Sequence, residues 1–282
     1  MNAVFLTGGS SPLGSHLLPD LVASHGTVLA LARSETAATT VRASGATVVR
    51  GDLLDPSTWR AEAQECHAFI HLAGIRFAPQ LLQAVNPNQR LIAVSSASVA
   101  NRHHPLATEL TRHEGCLRSA HRPSAILRPT MIYGTAGDRN VRYLALLLTR
   151  LPRVPAFTGG GKIQPIHVDD VVAAIMRQLA VPRYEVLSLG GPGPIQVHEL
   201  VDIIANDLAL RRIPIRVPLW PLARLASLAP PLAKVHRAVH ALQMLAHDRT
   251  VGAPDDALFG RAPTSLRAGV RAALVAYGLL LP

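Results

Sequence analysis

The fold is decided by residues 3–14, which read AVFLTGGSSPLG. A short β-rich run, Ala3 to Leu6, leads into a turn of small residues, and a helical pattern opens after Pro12. Backbone N–H groups at such a turn carry partial positive charge, and small residues let a pyrophosphate approach them closely. The stretch predicts a strand, a phosphate-binding loop and a helix; the alternative is a tight turn that holds no ligand.

Alternating strands and helices continue beyond this loop. Parallel strands need helical crossovers of about a dozen residues, so the alternation predicts a doubly wound parallel sheet of the α/β class. Further strands are expected at Thr27–Ala32, Thr47–Arg50, Ala68–Leu72, Leu91–Ser95 and Ala125–Leu127. Helices of this half are expected at Leu13–Ser24, Glu35–Ala43, Pro56–Glu65, Pro79–Val85 and Ala107–His121.

After about residue 130 the pattern loosens into loops that are rich in glycine and proline. Helices are expected near Arg139–Arg150, Val168–Leu179, Val197–Leu208 and Arg267–Tyr277. We interpret residues 1–130 as a nucleotide-binding core. Residues 131–282 are interpreted as a mixed region that completes the sheet and forms a substrate-binding cap.

The charge balance favours anionic partners. The chain has 28 basic and 18 acidic residues among its 282, which gives a net charge of +10. Only Lys162 and Lys234 are lysines, and the arginines are scattered without the basic runs or interleaved aromatic residues of a nucleic-acid surface. We therefore expect a small, anionic substrate and no nucleic-acid partner.

The cysteines and the apolar stretches suggest a cytoplasmic protein. Cys66 and Cys116 belong to no close Cys/His cluster, so neither a metal site nor a disulfide framework is expected. The first residues already form a predicted strand, which leaves no room for a secretion signal. The apolar stretch Val217–Ala246 is interrupted by prolines and basic residues, so it does not predict a transmembrane helix.

Several motifs together resemble one family. The loop Thr7 to Gly14 is similar to the Thr-Gly-x-x-Gly-x-x-Gly loop of the extended and atypical short-chain dehydrogenase/reductases, the NAD-dependent epimerase/dehydratase family. Thr7, Gly8 and Gly14 match, whereas Ser11 replaces the middle glycine and adds a hydroxyl able to meet phosphate. Further matches follow in order along the chain: Gly51-Asp52-Leu53, His71-Leu72-Ala73-Gly74, Val94-Ser95-Ser96, Leu127-Arg128-Pro129-Thr130, Tyr133-Gly134, His167-Val168-Asp169-Asp170 and a C-terminal segment from Leu258 to Val270.

The resemblance implies a Rossmann fold that binds NAD or NADP. An acidic residue at the end of the second strand binds the ribose hydroxyls of NAD, whereas an arginine pairs with the 2′-phosphate of NADP. Because Arg33 precedes the first carboxylate, Glu35, we expect NADP, with NAD as the alternative; Arg33 could also be merely solvated. The expected cofactor contacts are Thr7, Gly8, Ser10, Ser11, Pro12, Leu13, Gly14, Arg33, Ser34, Asp52, Leu53, Leu72, Ala73, Gly74, Arg112 and Pro129.

The catalytic pair of this family is missing. The resemblance implies Tyr-x-x-x-Lys on the helix after the fifth strand, where Thr108 and Arg112 stand instead. The residues four positions after the tyrosines are Gly137, Leu147, Ser188 and Leu281, so no tyrosine of the chain completes the motif. A threonine hydroxyl is far too weak an acid to replace an activated tyrosine, and an arginine stays protonated.

Proton transfer must therefore come from another group or not occur. Ser96 matches the active-site serine of the family. The candidate proton donors nearby are His103, His104, His113 and Glu109, and each of them could instead be a solvent-facing residue. We take Ser96, Thr108, Arg112 and His113 as the candidate catalytic residues.

Three functions remain open at this point. The first is an NAD(P)-dependent oxidoreductase or epimerase/dehydratase-like enzyme that acts on a small substrate such as a nucleotide sugar. The second is a non-redox cyclase or isomerase on the same scaffold. The third is a dinucleotide-binding sensor or assembly protein without turnover. A homodimer is compatible with all three.

Overall fold

A computed structural model describes residues 3–100, 106–120, 122–138, 140–158, 161–218, 250–253 and 255–281. His103, His104, Arg139 and most of the stretch Val217–Ala246 lie outside these residues. The chain divides into two compact units. The first consists of Met1–Pro129, Val171–Leu189 and Asp256–Arg261, and the second of Thr130–Asp170, Gly190–Asp255 and Ala262–Pro282.

The described strands and helices follow one another as the sequence predicts in its first half. The strands are β1 (Val4–Thr7), β2 (Val28–Ala32), β3 (Thr47–Arg50), β4 (Ala68–His71), β5 (Arg90–Val94), β6 (Ser124–Pro129), β7 (Met131–Tyr133), β8 (Val154–Thr158), β9 (Lys162–Ile163), β10 (Pro165–His167), β11 (Val186–Leu189), β12 (Ile195–Gln196) and β13 (Arg212–Pro218). The helices are α1 (Pro12–His25), α2 (Glu35–Ala43), α3 (Arg60–Gln64), α4 (Ala78–Ala84), α5 (Ala107–Ser119), α6 (Val141–Thr149), α7 (Val168–Ala180), α8 (Val197–Asp207), α9 (Asp256–Phe259) and α10 (Leu266–Ala276).

The first unit is built on a seven-stranded parallel sheet. Its strand order is β11-β6-β5-β4-β1-β2-β3, and every neighbouring pair is parallel. The order reverses between β1 and β4, which is the switch point where open α/β sheets bind ligands. The doubly wound α/β fold class is therefore confirmed.

An aromatic cluster fills the core of this unit. Phe5 stacks on Phe69 and on Trp59, with ring centroids 5.2 and 5.8 Å apart, and all three rings are fully buried. Trp59 also interrupts the helix predicted at Pro56–Glu65. Its φ of −150° separates a 3₁₀ turn, Pro56–Thr58, from α3, so the prediction of one continuous helix is wrong.

The second unit packs α6, α8 and α10 around its own apolar core. Three two-stranded pairs complete it: β7 with β10, β8 with β13, and β9 with β12. A partly buried hydrogen-bond network joins the first and the last segment of this unit. The Tyr277 hydroxyl donates to Asp138 Oδ2 at 2.5 Å and accepts from the Gly134 N–H at 3.1 Å.

Membrane spans and metal clusters are absent from the part of the chain that the structure describes. None of the helices there combines the length and the apolar character of a membrane-crossing segment. Within the same residues, no three His, Cys, Asp or Glu side chains are grouped so that they could hold a metal ion.

Candidate cofactor site

The residues expected to contact a dinucleotide follow the carboxyl ends of the sheet strands. The strand register places Thr7 beside Leu31 and His71, the residues at or near the ends of β2 and β4. The glycine loop and the loop Leu72–Gly74 therefore leave the sheet at the same edge, on either side of the switch point. This is the edge at which doubly wound sheets bind nucleotides.

Two glycines are required by close backbone contacts. Gly8 has a φ of +78°, and a Cβ there would lie 2.9 Å from the backbone of Leu72 and Ala73. A Cβ on Gly14 would lie 2.8 Å from Gly9 O and closer still to Gly8 O. Ser11, in contrast, has an ordinary φ of −71°, which explains why this position does not need glycine.

The serine that replaces the middle glycine has a structural task. Ser11 Oγ accepts the N–H of Gly14 at 3.0 Å and caps α1. Among the described residues, the N–H groups of Ser10 and Leu13 donate to no acceptor. Unused donors at a helix N-terminus attract anions, so this loop fits the pyrophosphate of a dinucleotide.

A buried histidine fixes the two loops to each other. His71 Nδ1 lies 2.6 Å from Thr7 Oγ1, and His71 Nε2 lies 2.8 Å from Gly74 O. Full burial lowers the pKa of His71 to about 4, so the ring is neutral at pH 7. Because the Gly74 carbonyl can only accept, Nε2–H donates to it, and Nδ1 accepts the hydroxyl proton of Thr7.

The residues after β2 leave an arginine available. Arg33 is exposed and has no partner among the described residues. The carboxylate of Glu35 lies 2.7 Å from Arg42 Nη1 and 3.6 Å from Arg50 Nη1, and the hydrogen bond from Arg42 lowers the pKa of Glu35. Ser34 Oγ accepts the N–H of Ala37 at 3.2 Å and caps α2, and its hydroxyl proton stays available.

The acidic residue after β3 already has one local role. Asp52 Oδ1 accepts the N–H of Leu54 at 2.9 Å, which stabilises the turn that contains the buried Leu53. The Asp52 carbonyl accepts Trp59 Nε1–H at 3.0 Å. The second carboxylate oxygen has no partner in the described ranges, so it remains available to a ligand. At the end of β6, Pro129 is buried.

The candidate catalytic residues lie on α5 and before it. Thr108 and Arg112 are exposed, and neither side chain has a partner in the described part of the chain. Ser96 Oγ accepts the N–H of Ser98 at 3.2 Å at the start of a 3₁₀ turn, Ala97–Ala100, against which α5 packs. His113 is buried, and its Nε2 lies 3.7 Å from Glu109 Oε1. Two of the candidate proton donors, His113 and Glu109, are thus neighbours on α5.

One ion pair, between the buried Glu114 of α5 and Arg128 of β6, was not identified from the sequence. Glu114 is almost fully buried, and its carboxylate accepts from Arg128 Nε at 3.0 and 3.1 Å and from Arg128 Nη2. Glu114 stands three residues before Leu117, which is also fully buried. A carboxylate on the apolar side of an amphipathic helix predicts a cationic partner, so the position of Glu114 in the helical pattern was the sequence signal for this pair.

The comparison with known families agrees with this geometry. The model of a family described as NAD(P)H-binding matches residues 8–179. The chain belongs to the NAD(P)H-binding family. The match begins within the glycine loop, and it confirms both the resemblance derived from the motifs and the class of cofactor. It does not distinguish NAD from NADP.

Curated relatives of this NAD(P)H-binding chain include two named enzymes. The ceramide reductase of Caulobacter vibrioides is 28% identical over 195 residues, which cover 64% of this chain and 61% of that protein. The decarboxylating sterol-4-alpha-carboxylate 3-dehydrogenase of Dictyostelium discoideum is 38% identical over 73 residues, or 26% of this chain and 22% of that protein. The chain therefore spans less than two thirds of either relative.

Solved structures share the fold of this NAD(P)H-binding protein at low identity. The NADPH-dependent quinone oxidoreductase of Escherichia coli, complexed with NADPH, superposes with a TM-score of 0.72 at 17% identity, over 95% of this chain and 98% of that one. The UDP-glucuronic acid 4-epimerase of Bacillus cereus, in complex with UDP-glucuronic acid and NAD, has a TM-score of 0.70 at 16% identity, over 98% and 99%. Reductases and epimerases thus both occur among the structural neighbours.

Proposed function

We propose that the protein is an NADPH-dependent reductase that works without a Tyr-x-x-x-Lys pair. The observation that carries the proposal is the free guanidinium of Arg33 after β2, beside a Glu35 carboxylate that Arg42 and Arg50 already engage. A planar guanidinium binds a phosphate with two parallel hydrogen bonds, whereas a ribose hydroxyl gains more from a free carboxylate. This arrangement favours the 2′-phosphate of NADP.

The other cofactor contacts follow from the loops at the carboxyl edge of the sheet. The N–H groups of Ser10 and Leu13 would hold the pyrophosphate, and the free oxygen of Asp52 would bind the adenine amine. NADPH, when bound, supplies a hydride. Arg112, four residues after Thr108 on the exposed side of α5, would bind the ribose or the negative charge that develops on the substrate.

The residues on α5 favour one class of acceptor. Reduction of a simple ketone ends on an alkoxide, which needs a strong proton donor as it forms. Reduction of a quinone ends on a phenolate, whose conjugate acid has a pKa of about 10, as in tyrosine. Arg112 can stabilise such an anion without giving up a proton, and water can protonate the product afterwards. The name of the NADPH-dependent quinone oxidoreductase among the structural neighbours supports this choice.

A second function, dinucleotide binding without turnover, is favoured by the same replacement. Thr108 and Arg112 keep a cation beside the expected ribose site and remove the proton donor, so binding would persist while chemistry is lost. Turnover with a quinone separates the two proposals.

The test measures cofactor affinity first. Calorimetric titration of the purified protein should show tighter binding of NADPH than of NADH. Arg33→Asp should weaken NADPH binding by about 10- to 100-fold, the usual effect of losing a hydrogen bond to a charged group, and should spare NADH. Arg60→Asp, the same charge change at an exposed arginine of α3 without a described partner, is the matched control.

The turnover assay then compares acceptors. With NADPH present, 1,4-naphthoquinone should be reduced and cyclohexanone should be reduced slowly or not at all. Equal affinities for NADPH and NADH, in both the wild type and Arg33→Asp, would show that Arg33 does not contact the 2′-phosphate. Tight NADPH binding with no turnover of either acceptor would favour the binding protein over the reductase.

A further inference from the structure

A cleft of about 470 Å³ lies in the first unit, at the edge of the sheet formed by β6 and β11. Ile126 and Val186, which pair in the strand register, form its apolar floor. The polar groups around it are Arg118, Arg122, Ser124, Arg128, Tyr184 and Glu185. None of these residues belongs to the expected cofactor contacts, and Ser124 begins β6 at the end opposite Pro129.

Two of the three arginines are held in place before any ligand binds. Arg128 is fixed by the buried carboxylate of Glu114. Arg122 donates from Nη1 to Val85 O at 3.1 Å and from Nη2 to Leu82 O at 3.4 Å, near the carboxyl end of α4. Side chains that are already ordered lose little entropy when a ligand arrives, so these two groups are preorganised.

The cleft carries an excess of positive charge. The carboxylate of Glu114 balances the charge of Arg128. The carboxylate of Glu185 lies 2.7 Å from Nε of Arg183, a residue that does not line the cleft. Arg118 has no partner among the described residues, and Arg122 has only neutral carbonyl partners there. The buried Nε of Arg122 also lacks an acceptor in the described ranges, and burial lowers the pKa of this guanidinium. An anion in the cleft would compensate both cations.

The remaining lining offers a ring and neutral donors. Tyr184 is 53% exposed, and its ring can stack on an aromatic ligand. Ser124 and Tyr184 each carry a hydroxyl that can donate to a phosphate oxygen. Pockets for small molecules span about 300–1,000 Å³, so the volume fits a ligand of nucleotide size.

We propose that this cleft binds a small organic phosphate that carries an aromatic ring, with the phosphate on Arg118 and Arg122 and the ring on Tyr184. Arginine pairs and aromatic stacking are the contacts by which proteins hold such ligands. The site is separate from the dinucleotide site, and the proposal does not depend on the cofactor or on turnover.

Phenyl phosphate is a suitable probe, because it has one ring and one phosphate, lacks the ribose and pyrophosphate of the cofactor, and is kept off the dinucleotide site by saturating NADPH. Calorimetric titration of the full chain, saturated with NADPH, should show saturable binding. Arg118→Gln should weaken it by about tenfold or more. Tyr184→Ala should weaken it by a few-fold, since stacking contributes less than a charged pair. Arg60→Gln, which removes the same charge from another exposed arginine, should leave it unchanged.

Three results would overturn the proposal. The first is the absence of saturable binding at millimolar phenyl phosphate. The second is binding that survives Arg118→Gln and is lost in Arg112→Gln, which would place the probe on the exposed side of α5. The third is equal affinity for inorganic phosphate and phenyl phosphate, which would leave no role for Tyr184. Circular dichroism of each variant confirms that the chain still folds.

Discussion

Replacing the buried His71 by glutamine should make the protein less sensitive to acid. His71 is neutral between Thr7 and Gly74, and burial lowers its pKa to about 4, whereas an unperturbed histidine has a pKa of 6.5. In the unfolded chain the ring therefore binds a proton near pH 6.5, and in the folded chain only near pH 4. The unfolded state binds more protons between these values, so acid favours unfolding.

The magnitude follows from the two pKa values. One pKa unit corresponds to about 1.4 kcal/mol, so the difference between 6.5 and about 4 amounts to about 3 kcal/mol. The contribution of His71 to the free energy of unfolding is complete above pH 6.5 and is lost as the pH falls through 6.5 toward 4. About 2 kcal/mol of it should already be lost at pH 5.

Urea unfolding at pH 7.5, 6.0 and 5.0 measures this loss. Glutamine can donate to the Gly74 carbonyl and accept from Thr7, yet it does not titrate, so His71→Gln should flatten the decrease in unfolding free energy by about 2 kcal/mol at pH 5. His16→Gln, the same substitution at an exposed position of α1, is the matched control. If His71→Gln and the wild type lose stability in parallel, or if NMR titration places the His71 pKa near 6.5, the buried neutral ring is refuted.

Three more predictions address the loop, the catalytic helix and the second unit. Gly14→Ala should abolish dinucleotide binding and lower stability. Gly9→Ala is the control, because its Cβ would make only ordinary 3.4 Å contacts with apolar side chains, and it should bind nearly as the wild type does. Equal dinucleotide affinities of the two variants in calorimetry would argue against the tight packing at Gly14. Thr108→Ala should leave turnover largely intact, because the threonine hydroxyl is too weak an acid to serve as the proton donor. A general acid contributes about 10²- to 10⁴-fold, so a loss of kcat on that scale with unchanged NADPH affinity would show that Thr108 donates the proton. Tyr277→Phe should lower the unfolding free energy by about 1.5–3 kcal/mol, because its hydroxyl donates to the buried Asp138 carboxylate; an unchanged urea midpoint would contradict this.

Local signals made much of the first unit predictable. The bounds of α2 and β3 coincide with those expected from the sequence, because Ser34 caps the helix and Gly45 ends the turn before the strand with a φ of +83°. The glycine loop was equally visible. Gly14 is required by contacts with the backbone of Gly8 and Gly9, and Gly8 by its φ of +78°, so both constraints are local and appear directly in the residue types.

Long-range pairings could not be derived in the same way. Nothing local in Val186–Leu189 shows that β11 pairs with β6, about 60 residues earlier in the chain. The helical pattern indicates that Glu114 needs a cationic partner, but the choice of Arg128 depends on how α5 packs over the sheet. The interruption at Trp59 has the same origin, because the burial of its ring among Phe5 and Phe69 overrides the helical pattern.

The rotation of α5 links the fold to the proposed chemistry. Glu114 and Leu117 are buried, so that side of the helix faces the interior of the unit. At 100° per residue, Arg112 lies about 160° around the helix from Glu114, and Thr108 about 120°. Both side chains are therefore turned outward, which agrees with their exposure. The helix thus offers bound ligands a permanent cation and a weakly acidic hydroxyl, and this combination stabilises an anion better than it delivers a proton. Under the proposed function, we therefore expect acceptors whose reduced form is a stabilised anion to be the preferred substrates.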